Sequence, residues 1–530
     1  MIRIRDISMP PKHDPNQLLF EAAKLLRVSN SKIKGISIVR RSIDARKKPV
    51  VRIIYTVDVA VSGNEGKILK QSGCKKAALA PVSFYRAPKT TAVPAKQPVV
   101  VGFGPAGMFA ALILAQAGLK PLVLERGEDA RTRHEKVQKF FETGELDTVS
   151  NVQFGEGGAG TFSDGKLNTG VNNPRIGWVL EQFVKAGAPE DILFDAKPHV
   201  GTDVLLTVVR NIRERIISLG GEVRFCSQVT RILHENGVLT GLEVNGQEHI
   251  SCDHVIFAIG HSARDTFRML LDENVPMEAK PFAMGVRIEH PQTDIDMSQY
   301  GIMDPALPPA DYKLVCHLED ATVYTFCMCP GGYVVAAASE EGGVVTNGMS
   351  YSDRGGENAN SALLVTVNPA DFPGEGVLAG MEWQRIIEEA AFRAGGGTYR
   401  APAQRVGDFL DGKASAGPGR VEPTCCPGVV WTDLHHVLPE KITSSIRQAL
   451  PLLDKNLKGF AHPDAVMTAP ETRSSSPVRI LRDENRQSEL KGLYPAGEGA
   501  GYAGGIMSAA VDGIVSAEAL IKALEGSDNE

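Results

Sequence analysis

The feature that most constrains this chain is a glycine-rich turn between an apolar strand and an apolar helix. Residues 97–102 (Gln-Pro-Val-Val-Val-Gly) form a continuous apolar run, as is typical of a buried parallel strand. The turn at 102–107 (Gly-Phe-Gly-Pro-Ala-Gly) follows, then a helix ending near Gly118 and a second apolar strand over 121–124. This order predicts a β-α-β unit that binds a dinucleotide.

Each glycine of the turn has a steric role in such a site. Gly102 permits the tight turn, Gly104 lets the backbone approach the pyrophosphate, and Gly107 lets helix and strand pack closely. Pro105 and Ala106 open the helix, whose N-terminus presents amide groups and a positive dipole end to the phosphates.

An acidic residue ends the second strand of the same unit. Glu125 stands 18 residues after Gly107 and precedes Arg126. A carboxylate at this position accepts hydrogen bonds from the adenosine ribose hydroxyls and would repel a 2′-phosphate, so the site is not for NADP. The fingerprint leaves NAD and FAD as alternatives, and the rest of the chain must decide between them.

The length of 530 residues predicts several domains, and the β-α-β pattern predicts that the fold class is α/β. Residues 2–61 read as a small β-α-β-β unit, and a tract rich in Ala, Pro, Lys and Thr at 87–97 has linker composition. The predicted domains are a small basic α+β domain at 1–95, the first part of a Rossmann-like FAD/NAD(P)-binding domain at 96–275, an inserted mixed α+β substrate domain at 276–459, and the second part of the nucleotide-binding domain at 460–530.

Composition excludes several classes of protein. The chain has no apolar run of roughly 18 residues and no secretory signal, so we expect a cytoplasmic protein that does not span a membrane. The eight cysteines are scattered, apart from the pairs Cys327/Cys329 and Cys425/Cys426. No pair of CxxC motifs occurs, so neither a disulfide scaffold nor a metal site is predicted.

Charge is distributed unevenly along the chain. Residues 1–95 carry 19 Lys/Arg against 6 Asp/Glu, a balance of +13, which leaves 38 against 57, or −19, for the rest. The basic unit favours docking onto the acidic body, or simple solubility. Contact with nucleic acid is the alternative, but no aromatic-rich RNA-binding signature accompanies the charge.

Several segments decide between NAD and FAD. They are the Gly-Glu-Gly-Gly-Ala-Gly run at 155–160 with its continuation to Leu167, and the stretches 260–265, 326–332, 471–479 and 497–507. In this order they resemble a family of bacterial FAD-dependent dehydrogenases of uncharacterised function, with an FAD domain like that of glutathione reductase. The resemblance covers nearly the whole chain and implies FAD as the cofactor.

The resemblance implies further cofactor contacts. Glu498 matches the late acidic residue that hydrogen-bonds the ribityl chain, and Gly505 and Ile506 open a last helix whose N-terminus would face the flavin pyrimidine. Gly158 and Lys166 belong to a loop that would cover the cofactor. The other predicted contacts lie at strand ends, namely Val229, Gly260 and Gly497.

The catalytic candidates are polar residues expected to converge near the flavin ring. His261 and Arg264 follow a buried strand, and such strand ends face the ligand crevice. Arg287 follows another apolar run, and Arg473 and Arg479 frame a serine-rich loop. A pair of arginines could clamp a carboxylate substrate.

Residues 151–170 contain no cysteine, unlike the disulfide-reductase branch of such flavoproteins. This difference argues against thiol-disulfide exchange of that type. The pairs Cys327/Cys329 and Cys425/Cys426 remain alternatives as redox dithiols, although buried or inert thiols are favoured because no neighbouring base is evident.

The sequence therefore predicts an FAD-dependent oxidoreductase that transfers hydride between flavin and a small organic substrate. No second glycine-rich strand-turn-helix occurs, so NADH or NADPH would visit the flavin transiently, unless the substrate itself or a protein donor reduces it. Two rival functions are an RNA-modifying flavoenzyme and a non-enzymatic flavin-binding or redox-sensing protein. The sequence leaves the oligomeric state open.

Overall fold

The computed structural model describes residues 1–81, 84–168, 170 and 172–527. Its first unit is a four-stranded antiparallel sheet in the order β2-β3-β1-β4, with two helices packed on one face. The sequence predicted β1, α1, β2 and β3 but missed α2 and β4, because α2 buries only Ile68 and Ser72 and β4 has three residues. The elements are β1 (Ile2–Met9), α1 (Asn16–Leu26), β2 (Ile33–Lys47), β3 (Val50–Val61), α2 (Glu65–Ser72) and β4 (Ala77–Leu79).

The β2-β3 hairpin docks this basic unit onto the rest of the molecule. Nε and Nη2 of Arg41 donate to Asp195 at 2.5 and 2.7 Å, and the Arg41 amide donates to the Phe194 carbonyl at 2.7 Å. Val51 is buried in the core of the inserted domain, and Leu307 packs against both cores. Docking onto an acidic body is one of the roles that the charge asymmetry suggested.

The next part of the chain supplies most of the nucleotide-binding domain. The helix α3 is buried over most of its length between the sheet and neighbouring helices, which its nearly uninterrupted apolar sequence requires. The elements are β5 (Val99–Val101), α3 (Pro105–Ala117), β6 (Leu122–Leu124), α4 (Ala130–Thr143), α5 (Arg175–Lys185), α6 (Thr202–Ser218), β7 (Glu222–Arg224), β8 (Val229–Glu235), β9 (Val238–Val244), β10 (Glu248–Ser251), β11 (Val255–Phe257) and α7 (Arg264–Asp272).

The inserted domain is built on a seven-stranded mixed sheet in the order β14-β15-β18-β13-β21-β19-β20. Only β19 and β20 run parallel. Its elements, including strands outside this sheet, are β12 (Met277–Ala279), β13 (Phe282–Pro291), α8 (Gln292–Tyr300), β14 (Val315–His317), β15 (Thr322–Cys329), β16 (Tyr333–Ala336), β17 (Thr346–Met349), β18 (Asn358–Val367), α9 (Ala379–Ala394), β19 (Ala401–Arg405), α10 (Val406–Asp411), β20 (Val429–Trp431), α11 (Glu440–Asn456) and β21 (Val466–Glu471).

The strand β21 lies beyond the domain boundary predicted at residue 460. It pairs with β13 and β19, so the inserted sheet continues to Glu471. All six residues of β21 are buried, and a short, fully buried strand carries no pattern that assigns it to one sheet or the other.

The chain then returns to the nucleotide-binding domain through β22 (Val478–Ile480), β23 (Leu493–Pro495) and α12 (Ile506–Ser527). The central sheet has the order β23-β11-β5-β6-β7 and is parallel throughout. This confirms the Rossmann-like fold with an inserted domain. None of the helices within the described residues is both long and apolar enough to cross a membrane.

Candidate functional site

A single cavity runs from the carboxyl edge of the parallel sheet to the inserted domain. Its walls come from the turn between β5 and α3, the ends of β6 and β11, the segment 153–166 and the start of α12. The inserted domain contributes residues of β15, β17 and β21. Because residues of both domains line it, the cavity is shaped to hold an extended ligand between them.

The glycine-rich turn has the geometry that its sequence predicted. Gly102 has φ +92°, and a Cβ there would lie 2.3 Å from the Ala258 carbonyl oxygen. A Cβ at Gly107 would lie 1.9 Å from the Gly102 carbonyl oxygen. Gly104 has no side-chain cap and lies against Gly158, and the backbone amides at the start of α3 line the cavity, where they are available to an anion.

Glu125 joins three segments at this end of the cavity. Its carboxylate accepts hydrogen bonds from the amides of Phe103 (2.7 Å), Gly127 (2.9 Å) and Gly155 (3.0 Å). A carboxylate has about four acceptor positions, so it retains capacity toward the cavity that it lines. The contact with ribose stays a prediction.

Arg133 shapes the loop that covers this end of the cavity, and the sequence analysis missed it. The side chain is fully buried and donates to the carbonyls of Asn151 (2.8 Å), Val152 (2.9 Å), Gly155 (3.3 Å) and Glu156 (2.7 Å). Burial lowers the pKa of Arg133 to about 10. Among the charged residues of α4, nothing in the sequence distinguishes this arginine from its exposed neighbours.

The predicted cofactor residues converge on this one cavity. Gly107 and Gly497 lie just behind its wall, where the Gly497 amide donates to Asp512 at 2.8 Å. The predicted residues that line the cavity are Gly102, Gly104, Pro105, Ala106, Glu125, Arg126, Gly158, Lys166, Val229, Gly260, Glu498, Gly505 and Ile506.

His261 and Glu498 lie side by side in the wall, with Nδ1 and Oε1 3.7 Å apart. Burial, with Arg473 and Arg264 nearby, lowers the pKa of His261 to about 4. Burial raises the pKa of Glu498 to about 7. At neutral pH the histidine is therefore uncharged, and the carboxyl group is the one that titrates.

Arg264 and Arg473 both pair with the same buried acid, so they are not an unpaired couple of arginines available to a substrate carboxylate. Both donate to Glu388, at 2.8 Å from Arg264 Nη2 and 2.8 Å from Arg473 Nη2, and both contact Glu340. Burial would raise the pKa of Glu388, but the two arginines lower it to about 2. Arg479, the expected partner of Arg473, pairs with Glu278 instead. Arg473 lines the cavity and Arg264 lies behind it.

Arg287 is completely buried behind the inserted-domain wall. It donates to Glu471 at 2.6 and 2.9 Å, to the Cys327 carbonyl at 2.8 Å and to Asn347 at 3.0 Å. All three partners line the cavity, whereas Arg287 does not. Its observed contacts are those of a positioning residue, and its predicted catalytic role has no contact with the cavity to support it.

Cys327 differs from the buried thiol that the sequence favoured. Its side chain is exposed to the cavity, and its φ of +43° is rare for a residue with a side chain. Burial by the surrounding protein raises the pKa of Cys327, against the effect of Arg287 and Lys166. Cys329 and Cys425 are buried as expected.

Three family models match this chain. One described as pyridine nucleotide-disulphide oxidoreductase matches residues 96–283, and one described as FAD-dependent protein, C-terminal domain-like, matches residues 281–474. A domain of unknown function matches residues 1–60. An uncharacterised protein of Clostridium beijerinckii is 49% identical over 527 residues, which cover 98% of each chain.

Solved structures resemble the chain only distantly. Glycine oxidase from Bacillus cereus is 12% identical, with 82% of this chain and 96% of that one covered and a TM-score of 0.34. L-proline dehydrogenase from P. horikoshii is 14% identical, with 81% and 95% covered and a TM-score of 0.35. These values are too low to indicate a substrate.

Proposed function

The chain belongs to a family of uncharacterised FAD-dependent oxidoreductases, and we propose that it transfers hydride between FAD and a small organic molecule bound against the inserted domain. FAD supplies the electron chemistry, and the protein supplies binding, orientation and charge. The inserted domain then serves as the substrate domain.

The residues of the cavity fit FAD. A Cβ added at Gly260 or Gly505 would meet no atom within 4 Å, so both glycines leave space on the cavity side of the wall. The amides at the start of α3, facing Gly158, suit a pyrophosphate. The Nε2 of His261 is buried without a hydrogen-bond partner in the described part of the chain, as expected of a group that a ligand would contact.

The observation that carries the proposal is that the cavity continues past the cofactor residues to the inserted domain. Phe326, Cys327, Asn347 and Ser474 line it there, and none of them belongs to the parallel sheet or its helices. Ligand sites at domain interfaces are common. A molecule bound between the two domains would be enclosed on one side by the cofactor domain and on the other by β15 and β17.

Proton transfer accompanies hydride transfer to or from most organic molecules. In the protein without FAD, burial raises the pKa of Glu498 to about 7, so we propose its Oε1 as the group that holds or releases that proton. His261 stays neutral at this pH, with Nδ1 beside Glu498 and Nε2 buried in the cavity wall without a protein partner. The two side chains lie 3.7 Å apart, so no hydrogen bond joins them, and Glu498 is the member of the pair that titrates near neutral pH.

The electron donor is the next question, and we propose NADH or NADPH as a transient reductant that approaches from the inserted-domain side. The test is an anaerobic titration of the FAD-loaded protein with each nucleotide, followed by the flavin absorbance near roughly 450 nm. Rapid bleaching supports a nicotinamide-driven enzyme. A flavin that neither nucleotide nor a panel of small organic donors reduces contradicts the proposed function and favours a structural or sensing role for FAD.

A further inference from the structure

Lys166 is a cation fixed in the cavity wall without a hydrogen-bonded acid. Its Nζ is buried and has no hydrogen-bond partner within the described residues. Its backbone is held by an antiparallel bridge to His199. The bridge holds the backbone of Lys166 beside the cavity, and its ammonium group makes no hydrogen bond to an acceptor among the described residues.

The acid beside Lys166 is Asp164, and its carboxylate is hydrogen-bonded to another residue. Asp164 lies 3.7 Å from Nζ but accepts two hydrogen bonds from Arg354, at 2.6 and 3.0 Å. Burial opposes ionisation of Asp164, yet Lys166 and Arg354 hold its pKa below the usual value. Burial, and then Arg354, lower the pKa of His199, so this histidine is neutral at pH 7. With His199 neutral, Lys166 and Arg354 are two cations beside one anion, Asp164.

The other cations of the cavity wall are each compensated. Arg126 pairs with Asp265 at 2.9 Å, and Arg473 pairs with Glu388 at 2.8 Å. Arg287, just behind the wall, pairs with Glu471 at 2.6 Å. Among the cations that line the cavity within the described residues, Lys166 is thus the one whose charged group makes no hydrogen bond to a carboxylate.

We propose that Lys166 binds the carboxylate of a small organic acid, which is the substrate class of this enzyme. This inference rests on the proposed function and names its ligand. Lys166 also lies close enough to Cys327 to influence its thiol, which places it toward the inserted-domain end of the cavity. Phe326, 38% exposed, offers an apolar surface at that end for the rest of the molecule. A charge-assisted hydrogen bond from an enclosed ammonium group distinguishes an acid from its neutral amide.

The test compares acids with amides of the same shape. The FAD-loaded protein is titrated with acetate, benzoate and phenylacetate and with their three amides, and dissociation constants are obtained from the flavin absorbance and by calorimetry. We expect at least one acid to bind roughly tenfold or more tightly than its amide. Lys166→Met should abolish that preference and Lys166→Arg should retain part of it. Lys197→Met is the matched control, because Lys197 is exposed and pairs with Asp311.

Each other outcome overturns the inference. Equal binding of acids and amides by the wild type, or no binding of either, removes the anion site. A preference that survives Lys166→Met assigns it to another residue. Loss of FAD from the Met variant, together with equal binding of acid and amide by the Arg variant, assigns the ammonium group to the cofactor. No electron donor is present, so these results are separate from whether nicotinamide reduces the flavin.

Discussion

At the scale of single residues, Glu125 ties the cofactor turn to its surroundings. Its two oxygens accept hydrogen bonds from backbone amides of the glycine-rich turn, of the segment that follows β6, and of the covering loop. A buried amide that loses its acceptor costs about 1–3 kcal/mol. The same carboxylate that is predicted to meet ribose therefore also holds the site together.

Glu125→Ala is predicted to lose FAD during dialysis and to unfold at a lower temperature. The substitution leaves the amides of Phe103, Gly127 and Gly155 without their acceptor. Flavin content after dialysis and a thermal melt measure the two effects. Glu128→Ala is the control, since that carboxylate pairs with Lys136 nearby. Full flavin occupancy in the Glu125 variant would refute the assignment at the ribose.

Glu498 gives a prediction about pH. Burial raises its pKa from 4.5 to about 7, so the folded protein without FAD disfavours the ionised form. The resulting destabilisation is absent below about pH 4.5, grows as the pH rises to about 7 and is constant above. Glu498→Gln should therefore stabilise the FAD-free protein by about 1–3 kcal/mol at pH 8 and have no stabilising effect at pH 4.5. Denaturant unfolding at several pH values tests this, and a gain independent of pH contradicts it.

Most residues predicted to contact the cofactor line one cavity, whereas two of the four catalytic candidates, Arg264 and Arg287, lie behind its wall, and this difference has a physical reason. Gly102, Glu125 and Gly260 lie in a glycine-rich turn or at strand ends, where local sequence fixes the backbone. The surroundings of Arg287 depend on Glu471, which is 184 residues away in the chain. Whether an arginine is free or neutralised is decided by such distant partners, so its local sequence cannot reveal it.

At the scale of elements, the site depends on how closely the turn, α3 and the covering loop approach one another. Gly107 lies against the Gly102 carbonyl, and Gly158 lies against Gly104. Arg133 on α4 fixes the covering loop through four backbone carbonyls. The sequence predicted β5, α3 and β6 in the right order, but it did not predict α4, whose role depends on contacts that periodicity does not encode.

Gly107→Ala is predicted to destabilise the protein and reduce FAD binding. The added methyl group would lie 1.9 Å from a backbone oxygen, which cannot move without displacing the turn. We expect a loss of about 2 kcal/mol or more in unfolding free energy. Gly177→Ala is the matched control, because a methyl group there meets no atom within 4 Å in helix α5 and should be neutral or slightly stabilising. Unchanged flavin content and melting temperature at position 107 would contradict the packing account.

At the scale of the whole molecule, the basic N-terminal unit is a docked part of the protein. Val51 is 4% exposed within the core of the inserted domain, while Val50 beside it is 56% exposed. The charge count alone left docking, solubility and nucleic-acid contact open, because it does not tell which charges face another domain. Whether the unit also binds a partner stays a prediction.

Val51→Asp is predicted to loosen the N-terminal unit. A buried carboxylate without a partner is unfavourable, so the hairpin should dissociate from the inserted domain more readily. Limited proteolysis should then cut the 87–97 linker and release the unit faster than in the wild type. Val50→Asp should leave the rate nearly unchanged. Equal cleavage of the two variants would show that the hairpin contact does not hold the unit in place.

The central claim is that one cavity seats FAD and presents its ring to the inserted domain. A crystal structure of the FAD complex tests this directly. The account predicts the pyrophosphate at the backbone amides that begin α3, the ribityl chain beside Glu498, and the flavin ring facing the wall that contains Phe326 and Cys327. FAD bound outside this cavity, or with its adenine toward the inserted domain, would contradict the account.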